Sequence, residues 1–394
     1  MSLLSDYEQR TAWKYAPICG SFHTAGGLSN KVNPDGSYAY FPGSTVTFRM
    51  KKKDLKLAQL MQQTLHRQLE GTNMLAHPLP ASTLHMTLHD LLSPESSAYG
   101  LCDRQKYEAE MAESIDKAAD IVAQIQRDFA GRRLVMVADR IVNMVSKSLV
   151  LMLRPQTEVD FELLLEMYRR FDEIVRLPYP LTPHITLAYF RPGMLDGERL
   201  GAAVDSAQIS PVNAPVFEFE PEALTAQVFR NMQSYQDVPE RICFCCDGGL
   251  NHSVMAANIL NNMAEERGLP VKATARSAYR NTQDQPVPQE VWHTLEAHGI
   301  PPFKTDYVAR YLEDGEFAHF SSFAGLSEGA MDRFAWMGLP EERIRSTSHF
   351  FGVRDPGFGE ISYDAAFADL RERVVYFLDD YESKYVGCGE EDQS

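Results

Sequence analysis

Leu84-His85-Met86-Thr87-Leu88 and His184-Ile185-Thr186-Leu187-Ala188-Tyr189-Phe190 carry two copies of one pattern, a histidine and a threonine separated by one apolar residue. Each copy lies in an apolar, β-prone run, and in a strand residues i and i+2 point to the same face. Each run therefore presents an imidazole and a hydroxyl side by side. Two such strands brought together surround one small volume with two imidazoles and two hydroxyls. That set suits a phosphodiester: one histidine takes a proton from the nucleophile, the other gives one to the leaving oxygen, and the hydroxyls bond the phosphoryl oxygens.

A single His-x-Thr in a chain of 11 histidines says little, and His319-Phe320-Ser321 reads as ordinary structure. The weight lies in recurrence with matched context. Both copies follow a proline-containing segment, Leu79-Pro80-Ala81-Ser82-Thr83 and Pro178-Tyr179-Pro180-Leu181-Thr182-Pro183, and both are followed by leucine. The competing account, two buried histidines bonded to backbone, would be preferred for either copy alone.

These residues resemble the two-histidine phosphoesterase superfamily, the LigT-like cyclic phosphodiesterases. Asp35-Gly36-Ser37-Tyr38-Ala39-Tyr40-Phe41-Pro42-Gly43-Ser44-Thr45-Val46 resembles the opening strand of one bacterial branch, in which the phrase matching residues 79–87 carries the first motif. The resemblance covers roughly residues 30–235. It implies an α+β fold of two pseudo-symmetric lobes, each donating one His-x-Thr strand to a central cleft. It also implies that His85 and His184 are the catalytic acid/base pair, their order open, and that Thr87 and Thr186 hold the phosphate.

At 394 residues the chain has room for two or three domains. Its 44% hydrophobic and 23% charged content are those of a globular, ordered protein. No apolar run approaches the ~20 residues that span a bilayer. The start, Met1 to Glu8, lacks the basic and apolar regions of a signal peptide. Six cysteines, three of them at Cys243, Cys245 and Cys246, form no disulfide framework, so reduced thiols in a cytoplasmic setting are expected. The net charge of −16 opposes a long polyanion. Lys51-Lys52-Lys53 with Lys56, and Arg132-Arg133, read as solvated faces rather than a nucleic-acid track. A small phosphorylated substrate, a cyclic nucleotide or an RNA 3′ end, is the expected partner, with neither duplex nucleic acid nor membrane.

Spacing predicts helices over 54–69 (Leu57, Met61, Leu65, Leu69, with Leu60 beside them), over 107–129, and over roughly 159–175. Strands are expected at 134–138 and 148–153. This order is α+β with approximate internal duplication. The stretch 208–215 reads as a loop, Val216 to Glu220 as the strand closing the first sheet, and Ser234 to Glu240 as a linker.

Beyond it, Arg241-Ile242-Cys243-Phe244-Cys245 reads as a buried strand. The loop Cys246-Asp247-Gly248-Gly249-Leu250-Asn251-His252-Ser253 follows, and then a helix over Val254 to Arg267, stopped by Gly268. Strand, glycine-containing loop and helix N-terminus make an anion cradle. A thiol at the start of that loop would be acidified and nucleophilic. A structural cysteine beside a turn is the plainer alternative.

This region resembles a low-molecular-weight protein tyrosine phosphatase, through Cys246 to Ser253, Met255-Ala256, residues 294–300, and Arg354-Asp355-Pro356-Gly357-Phe358-Gly359 ahead of a helix over Tyr363 to Tyr381. The resemblance, over roughly 240–386, implies an α/β domain with a four-stranded parallel sheet. It implies Cys246 as nucleophile, Asp355 as the acid protonating the leaving oxygen, and Gly248, Gly249, His252 and Ser253 around the phosphate. Two positions depart from the family: His252 stands where it has arginine, and Asn251 where it has a second cysteine. An arginine fork bonds two phosphoryl oxygens and is always charged, whereas histidine offers one donor. Three readings stay open for this domain: a phosphomonoesterase using His252 as substitute donor, a non-catalytic phosphate or nucleotide binder, or a structural relic or a thiol with other chemistry.

The sequence thus predicts domains at 1–235 and 240–388. The expected activity is a cyclic phosphodiesterase, opening a 2′,3′-cyclic phosphate, with removal of the resulting monoester by Cys246 and Asp355 as its sequel. The rival is a tyrosine-phosphatase-like signalling or phosphate-sensing protein with a regulatory N-terminal domain. Neither metal nor organic cofactor is called for.

Overall fold

The computed structural model describes residues 15–179, 181–208, 214–301, 307–345, 350–359 and 361–386. The expectations placed on Met1 to Glu8, on 209–213 of the loop and on the last residues of the second domain lie outside them. The chain divides into two compact units, Met1–Val238 and Pro239–Ser394.

The strands of the first unit are β1 Tyr15–Ala16, β2 Ser21–His23, β3 Gly43–Arg49, β4 His85–Asp90, β5 Leu134–Met144, β6 Ser148–Pro155, β7 His184–Tyr189, β8 Met194–Asp196, β9 Val216–Phe219, β10 Leu224–Asn231 and β11 Ser234–Val238. Its helices are α1 Lys52–Gln68, α2 Arg104–Asp128, α3 Glu158–Phe171 and α4 Gly197–Ala207. Nine strands form one sheet in the order β1-β5-β6-β7-β4-β3-β10-β11, with β9 also on β5. Every pairing in it is antiparallel. Three strands on one side, β5-β6-β7, meet three on the other, β4-β3-β10, at a β4–β7 ladder of two residue pairs.

The helices form where periodicity puts them, with one rotation. The buried stripe of α1 runs through Leu55, Ala58, Met61 and Leu65, while Leu60 is 57% exposed. Helix α3 starts at a capping box in which Thr157 and Asp160 satisfy each other's backbone N–H groups.

Two readings of the connection are corrected. Ser234 to Glu240 is no linker: Ser234–Val238 is β11, hairpinned onto β10, and Glu240 opens the next strand. Polarity misleads there because Asp237 is buried against Arg49, Thr225 and Gln227, so a charge sits inside the sheet with its partners. β10 and β11, not β9, therefore complete that edge, and β9 pairs with β5 on the far side.

The second unit holds β12 Glu240–Cys246, β13 Val271–Ser277 and β14 Ser322–Gly325, with α5 His252–Glu266, α6 Gln289–Ala297, α7 Glu328–Met337 and α8 Tyr363–Val386. Its sheet, ordered β13-β12-β14, is parallel throughout. The described residues give three strands where four were expected. A parallel bridge from Phe323 to Ile344 marks the position beside β14, and residues 346–349 lie outside the described set. Ile242 to Cys246 are fully buried, as the central strand of a covered parallel sheet requires. Ala366, Phe367, Leu370, Val374, Phe377, Leu378 and Tyr381 of α8 join α5 in this core. Among the described residues no helix is long and apolar enough to cross a membrane.

Candidate active sites

The two His-x-Thr strands lie side by side. Thr87 is opposite His184 and Met86 opposite Ile185, so the same register sets His85 opposite Thr186. Met86, Leu88, Ile185 and Leu187 point into the core at 0–2% exposure, while His85, Thr87, His184 and Thr186 occupy the partly exposed face. The four polar side chains thus stand at the corners of one rectangle. The imidazoles sit on its diagonal, where such positions are roughly 7–8 Å apart.

Both strands bend just after the motif. The β3–β4 register passes from Thr47↔Thr87 to Val46↔His89, and the β6–β7 register from Val150↔Thr186 to Leu149↔Ala188. Leu88 and Leu187 are skipped, which makes each a β-bulge. A bulge re-aims the side chains that follow it, and bulges gather beside active sites. The leucine that follows both motifs in the sequence is thus a matched structural device.

His184 Nδ1–H donates to the Thr182 carbonyl at 2.7 Å, which fixes the ring. His85 packs edge-on against Tyr235 with ring centroids 5.1 Å apart. Burial, with the neighbouring His184, pushes the His85 pKa down to about 4, against weaker pulls from Asp90 and Asp237. At neutral pH its imidazole is therefore uncharged and able to accept a proton. Tyr38 and Tyr189 meet edge to face at 5.9 Å, and burial raises the hydroxyls of Tyr189 and Tyr235. Sequence reasoning missed these tyrosines. Tyr189 and Tyr235 read as ordinary strand or linker aromatics until the sheet brings them together.

In the second unit, β12 delivers Cys246 to the loop preceding α5. Gly249 holds φ +64°, and a Cβ there would lie 2.8 Å from the Ser277 nitrogen, so only glycine fits. Gly248 has no such constraint, its nearest would-be neighbour lying 3.7 Å away. The loop is anchored by Ser327 Oγ donating to the Asp247 carboxylate and Ser277 Oγ donating to the Asp247 carbonyl, both at 2.7 Å.

Around the buried Cys246 Sγ, the Gly249 N–H donates at 3.2 Å and Ser253 Oγ is hydrogen-bonded at 3.0 Å. Burial alone would push this thiol up, but the His252 charge beside it, with the neighbouring Ser253, holds it below its ordinary value. His252, itself 2% exposed, has its pKa carried up to about 10: burial opposes its charge, and Cys246 and Asp355 outweigh burial. Its Nδ1 lies 3.0 Å from Asp355 Oδ2. Asp355 Oδ1 accepts from Asn251 Nδ2 at 2.9 Å and from the Gly357 N–H at 2.8 Å. Burial notwithstanding, His252 and these donors keep the carboxyl below the usual range. Cys246, His252 and Asp355 form one cluster in which each group shifts its neighbour toward the charged form. Burial instead pushes the Cys243 and Cys245 thiols up, as core packing implies. Asn251, first noted only as a departure, proves to be an anchor of Asp355.

Residues 241–379 match the family model for low molecular weight phosphotyrosine protein phosphatase. Among solved structures the chain is similar to YfkJ from Bacillus subtilis (16% identity over 37% of this chain and 96% of that one, TM-score 0.34). It is also similar to the low molecular weight protein tyrosine phosphatase from T. tengcongensis (19%, 36% and 99%, TM-score 0.33) and to the YwlE arginine phosphatase from Geobacillus stearothermophilus (20%, 39% and 99%, TM-score 0.33). No curated protein matches the chain. The C-terminal region is a low-molecular-weight-phosphatase-like α/β domain, which supports hydrolysis of phosphoesters.

Proposed function

We propose that this protein is a metal-independent phosphoesterase whose first unit opens a 2′,3′-cyclic or related nucleotide or RNA-end phosphate with His85 and His184. The observation that carries the reading is the β4–β7 register, which groups two imidazoles and two hydroxyls on one face, each motif followed by its bulge. Uncharged His85 takes the proton of the attacking water. His184, oriented through Nδ1, delivers a proton to the leaving ribose oxygen. Thr87 and Thr186 donate to the non-bridging oxygens, where charge builds up. Diagonal placement suits an in-line displacement, because base and acid then stand on opposite sides of the phosphorus.

In the second unit, Cys246 is the nucleophile toward a phosphoester, with Gly248, Gly249, His252 and Ser253 as its phosphate cradle. The family match over 241–379 also favours a second reading, a tyrosine-phosphatase-like signalling protein with a regulatory first unit.

A panel of 2′,3′-cyclic nucleotides, followed by phosphorus NMR, separates the two. Wild type should open the ring, His85→Ala should lose about 10²–10⁴ in rate, and Cys246→Ser should open it normally. A His85→Ala variant as fast as wild type sinks the first reading. Absent ring opening, with phosphotyrosine hydrolysis that depends on Cys246, establishes the second.

A further inference from the structure

We propose that Asp90 reads the base of the substrate, so that the first unit selects guanine beside the cyclic phosphate it opens. The proposal rests on the first unit being the phosphodiesterase described above.

Register puts Asp90 on the reactive face. Thr45 and Thr47 lie two residues apart on β3 and share one face, and they pair with Asp90 and Thr87. Cross-strand partners share a face as well, so Asp90 stands on the side of Thr87 and His85, brought there by the bulge at Leu88. Its charge is felt by His85, Tyr189 and Tyr235. Along β4 it lies about 10 Å beyond Thr87, at ~3.3 Å per residue. That span is close to the one from a nucleoside 2′,3′-phosphate to the far edge of a purine.

One oxygen of this carboxylate is held and the other is open. Asp90 Oδ2 accepts from the Tyr179 hydroxyl at 2.6 Å, whereas Oδ1 has no partner among the described residues. Lys31 feels the Asp90 charge but forms no ion pair with it. Asp90 itself is exposed. A free carboxylate near a bound phosphate repels it. Such a placement is favourable only where the substrate brings N–H donors to the carboxylate. Of the four bases, guanine alone has two adjacent donors on one edge, N1–H and the 2-amino group, which match the two oxygens. Adenine and cytosine set a ring nitrogen beside their amino group, and uracil sets its N–H between two carbonyls. Each would turn an acceptor toward Asp90. The aromatic rings of this face make no such choice. Tyr38 meets Tyr189 and Tyr235 meets His85, and a tyrosine ring stacks on any base.

The test is kcat/KM of the full chain on the four nucleoside 2′,3′-cyclic phosphates and on the inosine analogue. Each is supplied as a mononucleotide and as the 3′ end of a dinucleotide. Guanine should exceed the other three bases by about 10- to 100-fold, the discrimination of one good bidentate pair. Inosine, which lacks the 2-amino group, should fall between. A guanine preference in either form supports the proposal, and the faster form identifies a free nucleotide or an RNA end as its source. Asp90→Asn should bring the guanine-to-uracil ratio to about one. It should also favour xanthosine 2′,3′-cyclic phosphate, whose 2-oxo group accepts from the new amide. Both are ratios within one preparation, so any loss of folded protein cancels. If Asp90→Asn fails to fold, the wild-type panel decides together with Tyr179→Phe, which frees the carboxylate to turn and should narrow the preference. Equal rates on all four bases, or a guanine preference that survives Asp90→Asn, overturn the proposal and leave the phosphodiesterase reading intact. If no cyclic phosphate is opened, that reading fails and takes this proposal with it.

Discussion

His85 shows how one residue ties stability to pH. Its imidazole titrates near 4 when folded, against an ordinary value of 6.5, because burial and His184 disfavour its charge. A base whose folded pKa is depressed is bound to more protons in the unfolded chain between those values. Stability is therefore complete above about 6.5 and falls as the pH drops toward 4, by about 2–3 kcal/mol for this group. Thermal unfolding followed from pH 7 to pH 4.5 should show that loss, and His85→Gln should remove most of it. An identical pH dependence in both proteins would refute the assignment. The same residue scale explains why Cys246 differs from Cys243 and Cys245 two or three positions away. All three are buried, and only Cys246 has an imidazolium beside it.

The loop between β12 and α5 is the element on which the second site depends, and its two glycines are not equivalent. Gly249→Ala forces a methyl group to within 2.8 Å of the Ser277 backbone at φ +64°. Strain of about 1–3 kcal/mol is expected at such a position, and the Gly249 N–H should turn away from Cys246. Gly248→Ala meets nothing closer than 3.7 Å and should be tolerated. Urea unfolding together with the pH profile of Cys246 alkylation checks both. Equal effects of the two substitutions would contradict the cradle geometry. In the first unit the corresponding elements are the bulged strands β4 and β7. Without the skipped Leu88 and Leu187, alternation alone would carry Tyr189 to the core face, and the bulge instead brings it to the polar side.

Across the whole molecule, the two His-x-Thr strands lie in the sheet of the first unit, and Cys246, His252 and Asp355 lie in the second unit. The groups named at each site come from one unit, so the sites should fail independently. His85→Ala is expected to leave the alkylation rate of Cys246 within twofold or so of wild type, since sites that share no partners are usually additive. Measuring that rate beside ring opening in the same preparations checks it. A large change in one on mutating the other would require coupling between the units.

The sequence by itself determined where reactive side chains would gather, because local rules govern that. Alternation puts His85 with Thr87 and His184 with Thr186, and a strand–glycine loop–helix order puts Cys246 at a helix N-terminus. Helical periodicity likewise located α1, α2, α3, α5 and α8. Tertiary structure alone decided the rest. Whether two strands almost a hundred residues apart become neighbours, and in which register, depends on pairing across the sheet that no local pattern encodes. Ser234 to Val238 read as a linker because its polarity is neutralised only by Arg49, Thr225 and Gln227, all remote in sequence. The ion pair of Asp355 with His252 spans more than a hundred residues. That contact is invisible in the chain because only the fold brings the Asp355 loop beside the start of α5.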